Sequence, residues 1–533
     1  MKPNSAGYEV LLRVAAWTVL AAAIVAVLCA RIHLRGLPLE RDEGEYAYCG
    51  QLLLQGIPPY KLAYSMKFPG TAAVYALVMS ILGESIAGIR IGLLLANLGT
   101  IVLIYLLGRK LLGELGGIAS AASYSVLSLM PHVLGNAAHA THFVALFAVA
   151  GTFVLIRAID RQSSLLIFIS GGLFGLALLM KQPGLFFAVF GLFYLLSRDW
   201  TADLDLKKIS YRNLTFICGA IVPCLITAAA LWSAGVFGRF WFWTVKYASQ
   251  YGSQVSAREG LQILGDHFLG VVGTAWPIWA LALIGSIASI VDQAVRPRAV
   301  FLVAFAFFSA LAVCPGFYFR PHYFILLLPA ISLLSGSAVV SALNALPLTF
   351  RFAVLAVLAG CAGWPLWSER DFFFERPLAE ANRLVNGTNP FPESIKIAEF
   401  IRAQSGPTDT IAVLGSEPQI YFYARRISAT GYIYTYALME PQPYAHQMQD
   451  EMIHEIEGAG PRFLVLVVTN KSWLAGPDSD QTIFKWANAY REVAYEEIGL
   501  INIFDWGSEY YLSPSAAGVA PAAEHILIYR RKT

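Results

Sequence analysis

The segment Arg41-Asp42-Glu43-Gly44-Glu45-Tyr46-Ala47-Tyr48 sets Asp42 beside Glu43, with Glu45 two residues on, in a chain that is only 14% charged. It directly follows a long apolar run, and a carboxylate beside a bilayer is costly to desolvate, so it has a partner or a task. One such task is general-base catalysis, in which a fixed carboxylate takes the proton from an attacking hydroxyl or amine, worth ~10²–10⁴ in rate. Asp42 is the candidate base, and Glu43 the candidate for orienting the site or the incoming group. Cations able to meet an anionic group are Lys67 in Lys67-Phe-Pro-Gly70, Lys181 in Lys181-Gln-Pro-Gly184 and Arg320 in Phe317-Tyr-Phe-Arg-Pro-His322. A lysine offers a compact charge, an arginine a two-pronged contact. Tyr46, His139, His142 and His322 are candidate substrate contacts.

Each of these residues also has a plainer reading. Asp42-x-x-Glu45 has the spacing of a helix-capping box, and capping does not exclude catalysis. Lys67 and Lys181 can snorkel toward a membrane surface. Arg320 and His322 can anchor among headgroups, and a histidine at a span end, such as His139 or His142, can simply satisfy backbone or interface water. Tyr46, Tyr60, Tyr64 and the cluster Trp241, Phe242 and Trp243 can form an aromatic belt. No group of carboxylates and histidines has clear metal-ligand spacing, so no tightly bound metal or other cofactor is expected and a divalent ion has no support in the sequence.

These side chains need a membrane-embedded frame. Apolar residues make up 57% of the 533, and the 14% of charged residues compares with ~25% in an ordinary soluble domain. Mean hydropathy is +0.58. A net charge of +3 gives no argument for nucleic acid. None of the six cysteines lies after Cys361, so the C-terminal part has no disulfide framework. Leu11 to Ala30 is long enough to cross ~30 Å of hydrocarbon. No small-residue cleavage site clearly follows it, so it reads as an uncleaved first span rather than a signal peptide. Further apolar runs are 91–107, 116–134, 143–156, 165–180, 184–196, 214–232, 268–291, 299–313, 323–346 and 352–367. With flanking residues extending the shorter ones to the ~20 needed, they make about eleven spans. Gly171-x-x-x-Gly175 has helix-packing spacing and reads as that, not as a phosphate loop.

Loop charge orients the chain. Alternate connections carry Arg109 and Lys110; Arg157 and Arg161; Arg198, Lys207, Lys208 and Arg212; Arg296 and Arg298; then Arg351. The positive-inside rule assigns these to the cytoplasm with the N-terminus. The loop 31–90, the turns near 135–142 and 181–184, the stretch 233–267 and 314–322 are then outside, as is everything after about 368. Within the first outer loop, Gln51 to Ile57 ends a helix stopped by Pro58-Pro59, and Thr71 to Gly83 suits a helix lying in the interface.

After Trp367 the composition turns polar, with Asn389-Pro-Phe-Pro392 as a linker or turn. Ile411 to Gly415 and Phe463 to Thr469 read as buried strands, with Ile501 to Phe504 and His525 to Tyr529 as further ones. Pro418 to Arg426, with Pro418 in its first turn, and Thr482 to Tyr490 read as helices. The expected organisation is a transmembrane domain over 1–368 and an extracytoplasmic α/β domain over 369–533.

Asp42-Glu43 followed by Tyr46-Ala47, Lys67 to Pro69 in the same loop, and Leu107-Gly-Arg-Lys-Leu-Leu-Gly113 at the end of the second span carry a resemblance. The chain resembles the GT-C class of membrane glycosyltransferases, and looks most like bacterial relatives of dolichyl-phosphate-mannose protein mannosyltransferases and of the lipid A aminoarabinose transferase. Span layout and an exterior C-terminal domain resemble the class as well. The resemblance implies a donor of one sugar on a polyprenyl monophosphate and inverting transfer to an acceptor outside the cytoplasm. Relatives commonly carry another acidic residue near the start of the fourth span. Here Asn136-Ala-Ala-His139-Ala-Thr-His142 stands instead, with no carboxylate, and His139 or His142 is the candidate contact to acceptor or donor.

The sequence thus leads us to expect a polytopic α-helical, GT-C-like membrane protein with a C-terminal soluble α/β domain. Its partners would be a polyprenyl-phosphate-linked sugar, a glycan, lipid or protein acceptor, and the bilayer, with no nucleic acid. Its place would be the inner (plasma) membrane, active site outward. In that reading Asp42 is the base, and Lys67, Arg320 and Lys181 meet the donor phosphate. The rival reading is a transporter or flippase of a lipid-linked sugar, which would more often show charges buried within spans and inverted repeats. A membrane-anchored sensor with an exterior ligand-binding domain would leave Asp42 and Lys67 without a purpose.

Overall fold

The computed structural model describes residues 5–512 and 519–532. In chain order its helices are α1 Ser5–His33, α2 Arg41–Leu54, α3 Gly70–Leu82, α4 Ile86–Leu127, α5 Ala140–Arg161, α6 Ser164–Met180, α7 Gly184–Thr201, α8 Leu206–Ser233, α9 Phe237–Trp241, α10 Ala248–Gly252, α11 Ala257–Val272, α12 Trp276–Val291, α13 Ala299–Val313, α14 Leu328–Ala345 and α15 Arg351–Ser368. There follow α16 Leu378–Asn386, α17 Phe391–Ala403, β1 Thr410–Leu414, α18 Gln419–Ala424, β2 Ile427–Ser428, α19 Tyr436–Met439, α20 Ala445–Ala459, β3 Phe463–Val468, α21 Asn470–Trp473, α22 Thr482–Ala494, β4 Tyr495–Phe504, β5 Gly507–Tyr511 and β6 His525–Arg531. The chain divides into two compact units. The first is Met1–Arg35, Arg90–Ala229 and Gly252–Arg376; the second is Gly36–Ile89, Ala230–Tyr251 and Pro377–Thr533.

The first unit is helical because its segments are apolar for most of their length. Among the described residues eight helices are long and apolar enough to cross a membrane: Gly7–Gly36, Ile86–Leu127, Ala140–Arg161, Leu206–Ser233, Ala257–Val291, Arg296–Val313, Leu328–Ala345 and Leu348–Ser368. α4 contains the expected run 91–107 and the greater part of 116–134. The chain breaks helical geometry at Gly113, at φ 83°, a left-handed backbone that glycine adopts without penalty. Gly108 and Gly117 then come so close that a Cβ on Gly108 would stand 2.9 Å from the Gly117 Cα. α6 is apolar but has only 17 residues. The Gly171 and Gly175 pair does pack helices: a Cβ there would meet the Phe216 and Ala220 carbonyl oxygens of α8 at 2.1 and 2.2 Å.

The second unit holds a six-stranded sheet in the order β2-β1-β3-β6-β4-β5. β1 runs parallel to β2 and β3, while β6 pairs antiparallel with both β3 and β4, and β4 with β5. The sheet is therefore mixed. β1 and β3, near-continuous apolar runs, are buried along almost their whole length, as strands covered on both faces must be. Leu414, Leu464, Leu466, Met452 and Ile456 lie in one core. The short β2, β5 and the helices α16, α17, α19, α20 and α21 go beyond the sequence expectation, and the expected linker at 389–392 instead runs into the start of α17. Pro418 is the residue before α18, not inside its first turn.

Several surface expectations are corrected here. Tyr46, Tyr60 and Tyr64 are buried at 3%, 2% and 4% exposure rather than set in a belt. Tyr64 donates to Glu455 at 2.6 Å and stacks on Trp243, itself a core residue of this unit. Trp241 is half exposed.

Candidate active site

α2 begins where Glu40, in extended conformation, caps it. The Glu40 carboxylate accepts from the Glu43 backbone N–H at 2.8 Å, and the Glu43 carboxylate accepts from the Glu40 N–H at 3.3 Å. The capping box is therefore Glu40 with Glu43, two residues before the pair Asp42 and Glu45 that the sequence suggested. Glu43 is buried in this box. Asp42 is not the cap; it is the second residue of the helix.

That register leaves Asp42 and Glu45 three residues apart on one helical face, where side chains are neighbours. Both meet Lys67. Its Nζ donates to Asp42 Oδ1 at 2.8 Å and to Glu45 Oε2 at 2.6 Å. The side chains of Lys67 and Asp42 are 14% and 15% exposed, so the centre is largely withdrawn from water. The irregular segment between α2 and α3 is tied down at this point. Ser65 Oγ accepts from the Lys67 N–H at 3.1 Å and donates to Glu45, and Tyr60 donates to the Lys67 carbonyl at 2.8 Å. The ammonium lies 4.6 Å from the Tyr46 ring centroid and 5.5 Å from that of Tyr434, within cation–π range. The Tyr434 hydroxyl reaches Asp42 Oδ1 at 3.4 Å.

The electrostatics follow from burial and neighbours. Burial alone would lower the Lys67 pKa, but Asp42 and Glu45 hold it well above the ordinary lysine value, so the ammonium stays charged. Burial raises Tyr46 and Tyr434 well above the usual phenol, with Lys67 opposing and Asp42 adding to the effect, so both stay neutral. Glu40 is pushed up to about 8, by burial first and then by the charges of Asp42 and Glu43.

The remaining candidates belong to the first unit. His139 precedes α5, and its ring stacks on His322 with centroids 4.1 Å apart and planes 8° from parallel. Tyr323 meets His322 edge-on at 4.7 Å, and Lys181 Nζ lies 4.1 Å over the Tyr323 ring. Arg320 lies 5.5 Å from the Tyr318 ring. His142 is buried in the first turn of α5. The loop leading to His139 is held by arginines: Arg31 donates to the Ser128 and Gly135 carbonyls at 2.8 and 3.1 Å, and Arg90 to that of Asn136 at 2.8 Å.

Of the candidates named from the sequence, the structure brings Asp42, Lys67 and Tyr46 to one centre, and His139, His322 and Lys181 into one neighbourhood of the other unit. Sequence reasoning missed Glu45 as a lysine partner, although its three-residue offset from Asp42 was a usable signal. It missed Tyr434 entirely, since nothing local links that residue to Asp42 across 392 positions.

A polytopic helical membrane protein, with an acid–lysine centre on the segment after its first apolar helix and a sheet domain at its C-terminal end, has the GT-C fold. Residues 66–227 match the profile of the family described as dolichyl-phosphate-mannose-protein mannosyltransferase, a stretch that includes Lys67, His139, His142 and Lys181 but not Asp42. Among solved structures, ArnT from Cupriavidus metallidurans bound to undecaprenyl phosphate is similar with a TM-score of 0.61 and 16% identity, over 96% of this chain and 98% of that one. Its apo form gives 0.56 at 16% identity, over 96% and 97%. The archaeal oligosaccharyltransferase AglB from Archaeoglobus fulgidus, in complex with an inhibitory peptide and a dolichol-phosphate, gives 0.53 at 13% identity, over 95% of this chain and 75% of that one. No curated protein sequence matches. These likenesses agree with the sequence resemblance and, at such identities, establish the fold.

Proposed function

We propose that this protein is an inverting glycosyltransferase that moves a single sugar from a polyprenyl-monophosphate donor to an acceptor on the extracytoplasmic side of the inner membrane. The observation that carries this reading is the buried centre in which Lys67 bridges Asp42 and Glu45. Asp42 takes the proton of the acceptor hydroxyl or amine as that atom bonds to the sugar's anomeric carbon. The bond from that carbon to the phosphate oxygen breaks, and its electron pair leaves with the phosphate. A single displacement inverts the configuration. An ammonium has three N–H donors; Lys67 gives two to carboxylates and has a third to offer a phosphate oxygen. At ~4 Å and an effective dielectric near 20, that attraction is on the order of 4 kcal/mol before desolvation. The bound undecaprenyl phosphate of ArnT and dolichol-phosphate of AglB support a lipid phosphate as the leaving group here. For Lys181 and Arg320 at the phosphate, and for Tyr46, His139, His142 and His322 at substrate, the proposal rests on the sequence argument.

The test uses the purified protein in lipid nanodiscs with radiolabelled polyprenyl-phosphate sugars and a cell-envelope extract as acceptor. Label should pass to the acceptor with release of free polyprenyl phosphate. Movement of intact donor across a vesicle bilayer, without such release, would replace this reading by the flippase one.

A further inference from the structure

α2 presents two faces. At 3.6 residues per turn, successive side chains are about 100° apart. Asp42, Glu45 and Tyr46 share the face that meets Lys67. Arg41, Gly44 and Tyr48 share the adjacent face, and all three are docked on the C-terminal sheet domain within the same unit. Arg41 Nε donates to the Ser416 carbonyl at 2.5 Å, Nη1 to the Tyr436 hydroxyl at 2.7 Å, and Nη2 to Glu417 Oε1 at 2.8 Å and Asn389 Oδ1 at 3.2 Å. The other Glu417 oxygen accepts from Ser472 at 2.5 Å, and Glu417 is wholly buried. Gly44 touches α18 so closely that a Cβ would stand 2.7 Å from both the Gln419 nitrogen and its Cβ. The Tyr48 hydroxyl accepts from the Ser428 N–H at 2.8 Å.

A buried ion pair is weak evidence of net stabilisation, because desolvation can exceed the attraction; fixing register is its best-attested use. Here it would set the rotation of α2 about its own axis. A carboxylate ~5 Å from that axis, half the helix diameter, swings about 2.5 Å for a 30° turn. Misplacement of about 1 Å can slow a reaction ~10²-fold.

We propose that Arg41 and Glu417 are positioning residues for the transfer. The C-terminal domain, through Glu417, holds α2 in the one rotation that aims Asp42 and Glu45 at Lys67. The C-terminal domain is then part of the catalytic apparatus rather than an appended module. This inference rests on Asp42 being the base.

The experiment measures single-turnover transfer from a polyprenyl-phosphate sugar by the full-length protein, with E417Q made in the wild-type and the D42N backgrounds. In the wild-type background E417Q should lower the transfer rate on the order of 10–100-fold, from the misplacement argument, with the donor KM within about twofold. In D42N, E417Q should cause no further loss, because it acts through the carboxylate already removed. An equal loss in both backgrounds, or an unchanged rate per folded molecule, would overturn the positioning role while leaving the Asp42 assignment intact. Near-normal transfer by D42N alone would overturn the base reading, and this inference with it. Should E417Q not fold, G44A disturbs the same docking without touching a charge, and the same masking by D42N is expected.

Discussion

Asp42, the proposed base, and Glu45 are the two carboxylates of the Lys67 centre, and neither belongs to the capping box of α2. Glu40 and Glu43 cap α2, so Asp42→Asn keeps size, leaves the cap untouched and removes the basicity. The variant should fold, bind the polyprenyl-phosphate sugar and turn over at least ~100-fold more slowly. Equal melting temperature with near-normal transfer would end the general-base proposal. Lys67→Ala should lower donor affinity, turnover or both, since it removes the ammonium and leaves Asp42 and Glu45 side by side without it. Wild-type donor binding and kinetics in that variant would take Lys67 out of the site. Asp42 and Lys67 were legible as candidates from residue type and loop position. Glu417 and Tyr434 were not, because contacts across several hundred residues leave no trace in local spacing.

At the scale of an element, α2 owes its register to its cap. Asp42-x-x-Glu45 and Glu40-x-x-Glu43 have the same spacing, and the sequence alone cannot choose between them; the extended backbone at Glu40 does. That cap carries a pH dependence. The Glu40 carboxyl is raised in the fold from an ordinary 4.5 to about 8. Below about pH 4.5 both folded and unfolded forms are protonated and its contribution to stability is fully present. As pH rises toward 8 the unfolded chain ionises first, so the contribution is lost through that window. Glu40→Gln keeps an acceptor for the Glu43 N–H and cannot ionise. The melting temperature of Glu40→Gln should therefore fall less than that of wild type between pH 5 and about 8.5, a sign fixed by linkage. Parallel curves for the two proteins would show that Glu40 does not titrate in this range.

At the scale of the whole molecule, the apolar helices and the basic loops make orientation testable. With the basic connections in the cytoplasm, the region 369–533 should be outside. Protease added to intact spheroplasts should cut within 369–533, detected with a C-terminal epitope tag, while protection of that region would reverse the assignment. The fold class was legible because a run of ~20 apolar residues has few destinations other than a bilayer. The helix pattern was less so, since α4 joins two apolar runs through a break that only the φ of Gly113 reveals.

By itself the sequence determined that the chain is a multi-span helical membrane protein of GT-C resemblance with a sheet-containing C-terminal part, and it singled out Asp42 and Lys67. Those conclusions rest on composition, run length and residue type, which are local properties. Tertiary structure decided the rest. It moved the capping box to Glu40 and Glu43, gave Lys67 a second carboxylate in Glu45, and turned Tyr64 and Trp243 from surface aromatics into core. It also grouped the loop after the first helix with the C-terminal domain through Arg41 and Glu417. The cap is settled by the extended backbone at Glu40; the other three share one physical reason, that each depends on which distant group fills the space beside a side chain. An ion pair or a packed ring is specified only when the backbone has brought both partners together.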